Sequence, residues 1–199
     1  TDYVLTVAVS VASGKDFIGF AFPWVSDHPV VSCVTMIALI LVGNLRGIRE
    51  SASIFAAPTY IFVGSILVML AVTFFRIATH SVLPVQTASL APATESLGIF
   101  LVLKAFASGC TALTGVEAIS DGVPAFKAPE WKNARVTLIV MGVLSVTMFV
   151  GITVATHIIG LLPFDNSEPP IIVQLAQAGF GANSVGAYTV AAATAAILI

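Results

Sequence analysis

Glu117 and Asp121 are two carboxylates set in a stretch that is otherwise uncharged. Residues 108–124 read Ser-Gly-Cys-Thr-Ala-Leu-Thr-Gly-Val-Glu-Ala-Ile-Ser-Asp-Gly-Val-Pro, with three glycines and one proline around the two acids. Glycine and proline weaken helix continuity. A helix that breaks in an apolar environment frees backbone carbonyls and half-helix ends, which coordinate ions or charged groups. Thr114, three residues before Glu117, adds a hydroxyl to that set. Hard oxygen ligands of this kind suit alkali cations and ammonium groups. A second acid, Asp2, opens the first apolar run, and Thr6 lies one turn further along the same helical face.

Each of these residues also has a plainer reading. Gly109 suits close helix packing. Glu117 fits a salt bridge inside a helical bundle. Asp121 pairs with Lys127 or Lys132 at the edge of the apolar zone. Asp2 serves as an N-terminal helix charge favoured by the dipole. Lys104 suits a snorkelling cation, and His157 an interfacial residue at a helix end. Cys33 and Cys110 lack metal-ligand spacing and read as buried small side chains.

The elements that must hold these residues are apolar helices. Of 199 residues, 58% are hydrophobic and 9% are charged, and the mean hydropathy is +1.04. A soluble domain carries about a quarter charged residues, so lipid is the expected solvent for most of the surface. The net charge of −2 and the lack of a basic stripe give no reason to expect a nucleic-acid partner. A spanning helix needs about 20 mostly apolar residues. Six such segments are predicted, over residues 1–23, 29–45, 53–75, 97–126, 135–160 and 185–199, the fourth broken near 114–117. Residues 170–181, marked by Gln174 and Gln177, read as a short helix near the membrane surface. The runs do not alternate apolar and polar residues, so a barrel is excluded. The fold class is therefore an all-α transmembrane bundle, read as one domain. Thr1 is not a start residue and residue 199 falls inside an apolar run, so the chain reads as a fragment of a longer protein.

Loop charge predicts orientation. The linkers at 46–50 and 127–135 hold five cations and two carboxylates. The remaining linkers hold Lys15, Asp16, Asp27, Arg76, Glu95, Asp165 and Glu168, an acidic balance. Two helices separate the basic linkers, so both face one side, the cytoplasm by the positive-inside rule. Glu117 then lies about ten residues, or roughly 15 Å of helix, from the inner loop. That is near the middle of a core about 30 Å thick. An ionisable group there costs a few kcal/mol at least, and usually faces a cavity, an ion or a partner.

Three stretches carry a family resemblance. These are residues 2–10 (Asp-Tyr-Val-Leu-Thr-Val-Ala-Val-Ser), residues 44–51 (Asn-Leu-Arg-Gly-Ile-Arg-Glu-Ser), and Thr114-Gly115-Val116-Glu117-Ala118-Ile119-Ser120 through Phe126-Lys127, with Lys132-Asn133-Ala134. In combination they resemble the amino acid–polyamine–organocation superfamily of secondary transporters. They match its third helix, its fourth-to-fifth helix linker and its broken sixth helix. The Thr-Gly-Val-Glu and Gly-Val-Pro-Ala-Phe-Lys wording is most similar to the KimA-type potassium importers of that superfamily.

The resemblance implies a LeuT-like fold of two inverted five-helix repeats, of which this chain holds helices three to eight. It implies potassium ligation by Thr114, Glu117 and Asp2, and Gly115 at the helix break and Thr6 on the face of Asp2 complete the expected ion- or substrate-binding set. Asp121 departs from the pattern, where asparagine is expected. The implied function is cation-coupled uptake by alternating access, most simply of potassium with protons. An amino-acid permease is the alternative within the class, and a non-transporting structural membrane protein the alternative outside it. No paired catalytic set is visible, so no enzyme activity and no cofactor are expected. The expected partners are potassium and protons or an amino acid, the lipid bilayer of a cell (inner) membrane crossed several times, and a second copy in a homodimer.

Overall fold

A computed structural model describes residues 2–45, 51–82, 98–110, 119, 122–161 and 169–198. These residues are helical, with no strand among them. The helices are α1 (Asp2–Ala21), α2 (Pro23–Asp27), α3 (Pro29–Leu45), α4 (Ser51–Ala78), α5 (Ile99–Cys110), α6 (Glu130–Ile159), α7 (Ile171–Phe180) and α8 (Val185–Leu198), with a 3-10 turn over Val123–Ala125. Two of them, over Ala56–Ala78 and Glu130–Ile159, are long and apolar enough to cross a membrane.

Local chemistry explains where the helices stop. A residue before proline is pushed out of the α region. Phe22, before Pro23, has φ −130° and ψ 92°, and α1 ends there. His28, before Pro29, has φ −123° and ψ 63°, and α2 ends in turn. Two X-Pro steps thus make the corner between α1 and α3. Other ends use the left-handed cap. Gly160 (φ 77°) follows α6, with Leu161 N–H donating to the Thr156 carbonyl at 3.0 Å. After α4, His80 takes the same position at φ 51°, and Ser81 N–H donates to the Arg76 carbonyl at 2.9 Å. Arg76 Nη1 adds a bond to the Ser81 carbonyl, which steadies this non-glycine cap.

The chain forms two compact units, residues 1–87 with 150–199, and residues 88–149. In the first, α8 is the central element and touches α1, α4 and α7. Its alanines explain why. Ala187, Ala191, Ala193 and Ala195 are buried, and small side chains let neighbouring backbones approach. Phe17 of α1 and Val173 of α7 pack onto Ala191 and Ala195. Ile66 and Met69 of α4 are fully buried. Phe20 and Tyr188 hold α1 to α8 through tilted rings 5.2 Å apart. The second unit contains α5, the 3-10 turn and residues 130–149 of α6.

Hydroxyls inside the apolar helices mostly bond to their own backbone, which spares them an unpaired donor in a low dielectric. Thr35 donates to Val31 at 2.7 Å, Thr147 to Val143 at 2.7 Å, and Thr194 to Val190 at 2.8 Å. Thr73 is different. Its Oγ1 is buried and has no hydrogen-bond partner among the described residues.

Candidate functional site

Asp2 and Thr6 both lie in α1, one helical turn apart. Packing fixes the direction of α1 through its second half, where Val11 and Phe17 are buried. The first turns are not enclosed in the same way, since Val4, Leu5, Val7 and Val9 are exposed. Thr114, Gly115 and Glu117 lie outside the described residues, as does Asp121. Asp2 and Thr6 thus share one helix face by their spacing in α1.

Flanking elements are described on both sides of residues 111–118. Before them, α5 carries Lys104, which is exposed. After them, Phe126 N–H donates to the Val123 carbonyl and closes the 3-10 turn. Asn133 Nδ2 then donates to the Lys127 carbonyl at 2.8 Å. This bond folds residues 127–129 back onto the first turn of α6. The chain that follows the candidate site is therefore tied at Lys127 to the first turn of a long helix.

The other chemistry-bearing residues separate into distinct places. His157 is exposed in the last turn of α6. Cys33 is free and half-buried, less enclosed than its apolar surroundings in sequence suggest. The Cys110 side chain lies outside the described residues. Lys15 and Asp16 form an ion pair at 2.7 Å on α1. His28 stacks on Trp24 at 4.9 Å between ring centroids, and its Nδ1 lies 3.2 Å from the Trp24 carbonyl. No cluster of three metal-ligating side chains occurs among the described residues.

A groove of about 390 Å³ lies among α1, α2 and α3, lined by Ile18, Trp24, Val25, Ser32, Thr35, Met36 and Leu39. It is apolar, and its two hydroxyls already donate to backbone carbonyls, Ser32 to Val25 and Thr35 to Val31. It offers no charged group to a cation.

Two buried polar groups stand out from the structure more than from the sequence. Gln174 is one of two polar marks on a short segment. Its side chain is 3% exposed, and Nε2 donates to the Pro169 carbonyl at 2.8 Å. Thr73 lies inside the predicted apolar segment 53–75. Its only sequence signal was a polar residue among aliphatics, which its own helix backbone usually satisfies.

No family model matches the chain. The chain is similar to the potassium transporter KimA of Bacillus subtilis (strain 168), with 44% identity over 199 residues. The alignment covers all of this chain and 32% of that relative. The chain thus spans about a third of the length of the curated relative it matches.

Proposed function

We propose that this chain is part of a KimA-type potassium importer of the amino acid–polyamine–organocation superfamily. The observation that carries the reading is the 44% identity to a potassium transporter over the whole chain. The all-helical structure and the two helices fit for a membrane are in keeping with it. On this reading the chain is one portion of a longer, multi-pass membrane protein with a LeuT-like inverted repeat. It supplies helices three to eight of that fold.

Thr114, Glu117 and Asp2 supply oxygen ligands to potassium. The backbone around Gly115 supplies carbonyls where the helix breaks, and Thr6 adds a hydroxyl one turn from Asp2. A carboxylate near the bilayer midplane is costly unless it meets a cation, and a partly dehydrated potassium ion meets that need. Glu117 also carries the coupled proton, since a carboxylate in that setting gains or loses its charge with the ion. Transport follows by alternating access, with one bundle rocking against the other around the site.

Uptake by cells lacking their own potassium importers tests this reading. Rubidium, standing in for potassium, is expected to accumulate when the full protein is expressed, and excess potassium is expected to compete. Uptake of labelled amino acids without rubidium uptake would instead establish an amino-acid permease.

A further inference from the structure

The N-terminal end of α6 carries a cationic group that the transport reading does not use. Lys127, Lys132 and Arg135 are exposed, and none has an ion-pair partner among the described residues. Trp131 beside them is 59% exposed, and Lys132 Nζ lies 5.4 Å from its ring centroid. The Asn133 bond to the Lys127 carbonyl draws Lys127 back to the same turn.

Helical geometry sorts these residues. At 3.6 residues per turn, Trp131, Lys132 and Arg135 fall within an arc of about 100°. Glu130, itself exposed, lies outside that arc, so it does not interrupt the cationic face of the helix. Below that arc the helix presents Ile139, Val143, Val146 and Phe149, all exposed. The same face is thus cationic and aromatic at its end and apolar along its length. That order matches a phospholipid, with a phosphate at the water interface and acyl chains below it. Aromatic and basic residues favour that interface, and each Lys or Arg near an anionic leaflet draws on its surface potential.

We propose that Lys127, Lys132 and Arg135, with Trp131, form a binding surface for an anionic phospholipid headgroup in the cytoplasmic leaflet. Its acyl chains lie along the Ile139–Val143–Val146 face of α6. The proposal rests on the membrane placement and orientation given above.

The test uses the full protein in phosphatidylcholine vesicles. These contain brominated phosphatidylglycerol or brominated phosphatidylcholine at equal mole fraction. Trp131 emission is taken as the difference between the protein and its Trp131→Phe variant. Quenching is expected to show about a fivefold enrichment of the anionic lipid beside Trp131. Lys132→Gln and Arg135→Gln are each expected to reduce that preference, and Lys127→Gln/Lys132→Gln/Arg135→Gln together to abolish it. Glu130→Gln is expected to leave it intact. Inorganic phosphate is expected to displace no more of the quenching than chloride at equal ionic strength. Specific displacement by phosphate would assign the surface to a soluble anion and overturn the proposal. Equal quenching by the two lipids would overturn it while leaving the transport reading untouched. Loss of all quenching would remove Trp131 from the membrane and contradict the membrane placement as well.

Discussion

Thr73 of α4 and Gly179 of α7 meet with no room for a side chain between them. A Cβ placed on Gly179 would lie 2.6 Å from Thr73 Oγ1 and 3.8 Å from the Met69 carbonyl oxygen. Both residues are buried, and the Thr73 hydroxyl has no hydrogen-bond partner among the described residues. Gly179→Ala is expected to destabilise the α4–α7 contact by about 1–3 kcal/mol, the usual cost of overpacking a dense core. Thr73→Val keeps the shape and removes the unpaired hydroxyl, so it is expected to be neutral or stabilising. Thermal unfolding of the detergent-solubilised protein checks both. A Thr73→Val protein that unfolds well below the parent would show that the hydroxyl has a partner after all.

Gly151 provides a contrast. A Cβ there would lie 2.8 Å from Leu70 Cδ1, the far end of a side chain that can change rotamer. Gly151→Ala is therefore expected to cost less than Gly179→Ala, under about 1 kcal/mol. The ranking of the two unfolding temperatures is the measurement. The reverse order would mean that Leu70 is locked and that α4 and α6 pack more rigidly than this geometry implies.

Orientation has its own test. Cysteine at Lys127 is expected to react with a membrane-impermeant maleimide only after the cells are opened. Cysteine at Asp27 is expected to react in intact cells. Matching accessibility at the two positions would contradict the positive-inside assignment. It would also remove the cytoplasmic leaflet from the lipid proposal.

The helical character of the chain was legible because long charge-free runs have one economical solution in lipid. Corners were partly legible too. Pro23 and Pro29 are visible in sequence, and they end α1 and α2 through their effect on Phe22 and His28. The cap at His80 was not legible, because a left-handed histidine depends on the Arg76 bond to the Ser81 carbonyl. Burial of α7 was also hidden. Its two glutamines look peripheral in sequence, yet Val173, Gln174 and Leu175 are enclosed by contacts with α4 and α8. The contacts with α4 join residues about a hundred positions apart, and no local pattern reports them. The candidate site was read from composition and from resemblance. Of its five residues, Asp2 and Thr6 lie in a described helix, and Thr114, Gly115 and Glu117 lie outside the described residues.

The most direct test of the account is rubidium uptake into vesicles by the full protein and by its Glu117→Gln variant, reconstituted at equal density. The parent is expected to accumulate rubidium well above empty vesicles. The variant is expected to lose about a hundredfold or more, as when one partner of a buried charge pair is removed, while its unfolding temperature stays near the parent's. Parent-like uptake by a folded Glu117→Gln protein would contradict the assignment of residues 114–117 as the ion site.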